Sequence, residues 1–337
     1  MKRTSTLPAI FTLPGIFATL VLILVSASLG AGTQRAGTAP QSQQQPKAGS
    51  SGAYTLHVDA EEVVLNCTVL DHKGELVNDL TKSNFKIFED NVLQSVISLQ
   101  HQDTPVSIGL LVDDSGSMGS KRDAVASAAL DLVKASNPQD ETFVVNFSDQ
   151  AYVDQDFTSD LNKLREGLSH PTLSGATALY DTVIAAADKM SRSATRPRKV
   201  LVVITDGDDN ASTRTLNDAI HRVQDTQGPI IYSIGLLFGG DNSRHARHDL
   251  QALSSGTGGI AFFPGSLKDI DSVAAQVARD IRNQYAIAYH SAKGSDGKYH
   301  AVKVEAQAPG HGKLTAYTRS GYLSDGSSSI TPKRIMK

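Results

Sequence analysis

The sequence predicts an α/β protein: a doubly wound, mostly parallel sheet inserted in a small β-sandwich that the N- and C-terminal flanks form together. Three observations carry this. Apolar runs at 106–112, 142–147, 200–205 and 230–236 alternate with amphipathic helical stretches at 120–135, 160–168, 176–192, 214–226, 246–254 and 267–283. Such alternation means parallel strands with helices on both faces. Before and after this block the hydrophobic period drops to two. Neither flank has enough strands to be stable alone, so the two are expected to pair.

In chain order, Lys2 and Arg3 precede an apolar stretch over 7–25, and small residues follow up to Ala31. This is the layout of a secretory signal peptide over 1–31, which places the protein in the periplasm, cell envelope or medium. An inner-membrane anchor over 7–25 is the alternative, although Pro14 and Gly15 disfavour a stable spanning helix. Residues 32–52 include QSQQQPKAGSSG, which buries no apolar area and reads as a disordered linker. The first half of the sandwich is expected over 53–104. Its strands are Val63–Leu70, Phe85–Asn91 and Leu93–Leu99, with a turn at Asp71–Gly74. Cys67 is the only cysteine, forms no internal disulfide and reads as a core residue.

The α/β block is expected over 105–283. A short last strand falls near Ile260–Phe263, and Tyr152–Gln155 reads as an antiparallel edge strand. Strands at Tyr285–Tyr289, His300–Ala306 and Leu314–Arg319 complete the sandwich over 284–323, and a Ser-rich tail follows over 324–337. The 337 residues carry a formal charge of only −3, which argues against a nucleic-acid partner. Ten scattered histidines show no HExxH-like spacing, which argues against a zinc hydrolase.

Oxygen-bearing side chains gather where strands end and helices begin. Asp113, Ser115 and Ser117 follow the first apolar run, GATALYD places Thr177 at a helix start, and VVITDG leaves Asp206 at a strand tip. In open α/β sheets this rim binds ligands. Clustered hydroxyls and carboxylates suit a hard divalent ion, Mg²⁺ first, with Mn²⁺ or Ca²⁺ as alternatives. Asp114, Gly116, Asp208 and Asp209 lie on the same rim. Asp114 is expected to face solvent or a ligand edge, and Asp208 and Asp209 to sit on a solvated loop. Each hydroxyl or carboxylate alone also suits a helix N-cap. Capping does not explain three distant segments on one rim. Arg244, His245, Arg247 and His248 read as a solvated helix face, and Gly239-Gly240-Asp241 as a flexible loop.

These residues resemble the von Willebrand factor type A domain and its metal-ion-dependent adhesion site: Asp113-x-Ser115-x-Ser117, Thr177 and Asp206. LTKSNFKIFEDN before the block and YHAVKV with LTAYTRSGY after it are similar to a bacterial secreted family of VWFA-related domain proteins. The resemblance implies direct Mg²⁺ ligation by Ser115 and Ser117, and by Thr177 directly or through water. Asp113 and Asp206 would act largely through water and orient the hydroxyls. It also implies an open coordination position that takes an Asp or Glu of a protein partner, with movement of the 267–283 helix coupled to binding. Integrin β-type domains carry further acidic residues just after the motif to hold an adjacent ion. Here Ser120 and Lys121 occupy those positions.

The function expected is therefore an extracytoplasmic, Mg²⁺-dependent protein-binding or adhesion module with no catalytic residues. One alternative is a structural envelope protein that the metal merely stabilises. A serine-dependent hydrolase is another, disfavoured because GSMG is not G-x-S-x-G and no motif supplies a base. A membrane partner is expected only if the leader is retained.

Overall fold

The computed structural model describes residues 61–169, 173–224, 228–238, 243–294 and 296–324. The expected leader, the linker and the Gly239–Asp241 loop lie outside these residues, as does the expected tail beyond Ser324. The chain divides into Met1–Thr55, which is not described, and Leu56–Lys337, which carries every element below.

The first flank supplies β1 (Glu61–Leu70), β2 (Phe85–Glu89), β3 (Val92–Gln94) and β4 (Val96–His101). Asp90 and Asn91 close the two-residue β2–β3 hairpin at φ 49° and 66°. Asp and Asn tolerate that left-handed region better than most side chains. The central block supplies β5 (Val106–Asp113), α1 (Arg122–Ala135), β6 (Glu141–Phe147), β7 (Ala151–Thr158), α2 (Leu161–Leu168), α3 (Leu179–Ser193) and β8 (Arg198–Thr205). It continues through α4 (Leu216–Val223), β9 (Ile230–Gly235), α5 (Ser243–Thr257), β10 (Ala261–Phe262) and α6 (Ile270–Arg282). The second flank supplies β11 (Tyr285–Ser291), β12 (Tyr299–Ala306), β13 (Thr315–Tyr317) and β14 (Gly321–Leu323).

The central sheet runs β10-β9-β8-β5-β6-β7, parallel except for the antiparallel edge strand β7. All eight residues of β5 are buried. Ile108, Leu110 and Val112 pack with Val125 of α1 and Val277 of α6 on one face. Leu111 packs with Val183 of α3 and Leu253 of α5 on the other. The period-two alternation of a strand thus serves two apolar layers at once. At Gly109 a Cβ would lie 2.6 Å from Leu201 Cδ2 and from Phe143 Cζ, so the Phe143 ring needs the missing side chain.

The flanks form two antiparallel sheets, β13-β1-β11-β4 and β14-β12-β2-β3. They share one core: Leu65, Cys67, Tyr285 and Tyr289 from the first, Ile87, Val304 and Tyr322 from the second. Burial pushes the Cys67 thiol up to about 12, so it stays protonated. The buried Glu89 carboxylate accepts from the hydroxyls of Tyr289 (2.9 Å), Tyr322 (2.6 Å) and Ser291 (3.0 Å). Three donors compensate its loss of water.

Two strand expectations need correction. The single strand expected over Leu93–Leu99 is two, split at Ser95: β3 pairs with β2 in one sheet and β4 with β11 in the other. No Gly or Pro marks the corner between Val92 and Leu99, so the sequence alone does not reveal it. The last expected strand, Leu314–Arg319, is only Thr315–Tyr317, and β14 follows as a separate strand against β12.

The inserted layer joins the sandwich through neighbouring strands. β4 leads into β5, α6 leads into β11, and Tyr285 of β11 is paired with His101 of β4. Arg282 at the end of α6 pairs with Asp103 (2.7 Å) and donates to the Ala135 carbonyl (3.1 Å). Beneath it, Gln284 Nε2 donates to the hydroxyls of Thr68 (3.2 Å) and Tyr232 (3.0 Å). The Gln284 carbonyl accepts from the buried Arg198 guanidinium, which also donates to Ile281 O at 2.6 Å.

Candidate metal centre

β5 pairs with β6 on one side and β8 on the other, so the strand order reverses at β5, and in open α/β sheets ligands bind outside the carboxyl ends of the strands at such a point. Asp113 ends β5 and Thr205 ends β8 beside it. Thr205 Oγ1 donates to Asp113 Oδ2 at 2.5 Å, and Ser115 N donates to Oδ1 at 2.8 Å. Both carboxylate oxygens are thus held, which fixes the loop that follows. Burial pushes the Asp113 carboxyl up. Its hydrogen bonds to Thr205 and Ser115 oppose that shift, and the nearby Asp206 charge adds to it.

From this anchor a short 3₁₀ turn, Gly116–Met118, inserts Met118 into the core and turns the serines to the rim. Ser115 is 4% exposed, whereas Gly116 and Ser117 are exposed. Ser115 Oγ and Ser117 Oγ are 3.2 Å apart, and Ser117 Oγ donates to Asp206 Oδ1 at 2.7 Å. The other Asp206 oxygen accepts from the Lys121 ammonium.

The third segment arrives at the start of α3. Gly175 has φ +89°, where a Cβ would stand 2.9 Å from Asp149 Oδ1. Only glycine makes that turn cheaply. Ala178 N then donates to Ser148 O (2.6 Å), Thr177 N donates to Asn210 Oδ1 (2.8 Å), and Asn210 N returns a bond to Thr177 O (3.0 Å). The Thr177 hydroxyl is directed toward Gly207, lying 3.8 Å from the point a Cβ there would occupy. Thr177 therefore shares a rim with the loop that carries Asp206.

N-capping does not account for these hydroxyls. The cap positions are Ser115 for the 3₁₀ turn, Lys121 for α1 and Ala178 for α3, and none makes a side-chain cap hydrogen bond. The donors that remain are hydroxyl and carboxylate oxygens only, which suit a small hard cation such as Mg²⁺. Among the described residues no group of three or more His, Cys, Asp or Glu side chains is arranged to hold a metal ion.

Three rim expectations change. Asp114 does not face solvent: it is 2% exposed and lies 3.4 Å from Arg122 Nε. Arg122 in turn donates to Asn146 Oδ1 at 2.6 Å. Asp209 is not a solvated loop residue, since its carboxylate accepts from Tyr180 N (2.9 Å) and Ser212 Oγ (2.6 Å) and tethers the loop to α3. Asp208 is partly buried, 3.5 Å from His245 Nδ1. His245 and His248 also approach Asp249, at 3.4 and 2.9 Å, so carboxylates offset the basic patch on α5. Lys121, Arg122, Thr205 and Asn210 were not singled out by sequence reasoning for this rim. Only the Lys121 position, occupied by acids in integrin β-type domains, offered a signal.

The switch point of the sheet gathers D-x-S-x-S, Thr and Asp on one rim. Residues 108–208 match the family model described as von Willebrand factor type A domain. Such domains are in general non-catalytic binding modules. No curated protein matches the sequence. Similar solved structures include a von Willebrand factor type A protein from Catenulispora acidiphila (12% identity, 80% of this chain, 75% of that one, TM-score 0.47). Another is the vWF domain of the type V pili tip protein Mfa5 from Porphyromonas gingivalis (13% identity, 53% and 95% covered, TM-score 0.44). A third is proximal thread matrix protein 1 of the mussel byssus with a zinc occupied MIDAS motif (16% identity, 54% and 49% covered, TM-score 0.45). The match spans about half the length of the mussel protein.

Proposed function

We propose that the chain is an extracytoplasmic binding module whose rim holds Mg²⁺ and captures a carboxylate of a protein partner. The convergence of Ser115, Ser117 and Asp206 at hydrogen-bonding distance carries the reading. Ser115 and Ser117 would ligate the ion directly. Thr177 would do so directly or through water, and Asp113 and Asp206 would supply charge and orient the hydroxyls. The bound ion would supply a hard Lewis acid for an Asp or Glu oxygen. With both its oxygens already engaged by Thr205 and Ser115, Asp113 fixes the loop and leaves the hydroxyls to face the ion. The sequence leader supports a place in the periplasm, envelope or medium. Among the described residues no helix is long and apolar enough to cross a membrane.

Calorimetric titration of Mg²⁺ into EDTA-stripped protein should give one site, lost in Ser117→Ala. Capture of envelope or secreted proteins should require Mg²⁺ and fail with EDTA. A metal that raises the melting temperature while leaving capture unchanged would instead indicate a purely structural ion.

A further inference from the structure

Lys121 stands at the N-cap of α1, where the helix dipole disfavours a cation. Its side chain nevertheless turns inward. The ammonium pairs with Asp206 Oδ2, lies 3.5 Å from the Ser117 carbonyl and faces the Phe238 ring 6.0 Å from its centroid. The Asp206 side chain is 1% exposed and that of Lys121 20%. Asp206 is thus divided between two partners, the Ser117 hydroxyl on one oxygen and the Lys121 cation on the other.

We propose that Lys121 is a tethered cation that competes with the divalent ion for Asp206 and so sets the metal affinity of the rim. This rests on the metal-site reading above. Without a metal, the ammonium neutralises a carboxylate that is almost wholly withdrawn from water, so the loops remain assembled. A divalent ion on the serine hydroxyls and the ammonium would both draw on the Asp206 charge and repel one another, so each weakens the other's hold. Metal entry would therefore favour release of the lysine. The long, partly exposed side chain has somewhere to go: outward, across the exposed Phe238 ring, which can receive a cation on its face. There the displaced charge would border the metal rim and favour an acidic partner over a neutral one.

The test is calorimetric titration of Mg²⁺ into the EDTA-stripped full chain, alongside Lys121→Gln and Lys121→Arg, with melting temperatures in EDTA and in saturating Mg²⁺. Lys121→Gln should bind Mg²⁺ about tenfold more tightly, the scale of one partly exposed ion pair. Lys121→Arg should stay near the wild type. In EDTA the Gln variant should melt lower than wild type, and its gain on adding Mg²⁺ should be larger. Folded Lys121→Gln with equal or weaker Mg²⁺ affinity overturns the competition and leaves the metal site standing. No Mg²⁺ binding by any of the three chains overturns the metal site itself, and the competition with it. Should the Gln variant not fold, Lys121→Met replaces it with the same expected outcomes.

Discussion

Thr177 owes its place at the rim to Asn210, which accepts its backbone N–H and donates a backbone bond in return. Asn210→Ala removes the side-chain acceptor of Thr177 N and leaves the backbone bond to Thr177 O in place. The expected cost is about 1–2 kcal/mol in denaturant unfolding and about a tenfold weaker Mg²⁺ response, the usual effect of losing an outer support. Asp280 offers a different test. It is 1% exposed, its Oδ2 has no hydrogen-bond partner among the described residues, and burial pushes its carboxyl up to about 7, slightly offset by Arg279. Below about pH 4 the group is protonated whether the chain is folded or not, and burial costs nothing through ionisation. As pH rises to 7 the unfolded chain ionises first, so stability falls, and above 7 the loss is complete. Asp280→Asn should flatten that segment of the pH–stability curve and be more stable than wild type at pH 8, by at most ~4 kcal/mol. Equal slopes for the two chains would refute this. At this scale the sequence was legible in position, since Asp113, Ser115 and Ser117 fall at the end of β5 and in the turn after it. It was mute where partners come from distant segments, as with Asn210 on Thr177 or Arg122 beside Asp114.

Elements follow from period and composition, and most were readable. The largely apolar β5 reads as a strand covered on both faces, and the helices around it alternate as amphipathic surface helices do. Ser95 hid a corner, because no Gly or Pro separates β3 from β4 although they belong to different sheets. β14 is only three residues, Gly321–Leu323, too short to carry a period, and it is held by pairing with β12. Within β5, Gly109 marks where the fit is tightest. Gly109→Val should cost roughly 1–3 kcal/mol through overpacking against Phe143 and Leu201. A denaturation midpoint matching wild type would show that the two rings of contacts relax freely.

For the whole molecule, the polar joint around Gln284 ties layer to sandwich. Gln284→Ala strips partners from Thr68, Tyr232 and Arg198 together. Leaving buried polar groups unmet should destabilise by roughly 2–3 kcal/mol and split thermal unfolding into two transitions, visible by calorimetry. A single unshifted transition would mean the two parts do not depend on this joint. That the flanks pair around an insertion was legible because neither could stand alone. The joint itself was not, since Gln284 and Arg198 carry no pattern until the chain folds.

The two crossings into and out of the inserted layer lie side by side on β4 and β11, whose paired residues include His101 and Tyr285. Mechanical load applied between β1 and β14 therefore travels through the hydrogen-bond ladders of the sandwich. The inserted layer is not slack along that path: Leu323 of β14 donates to Gln224 O (2.8 Å) at the end of α4, so load on β14 also reaches the layer.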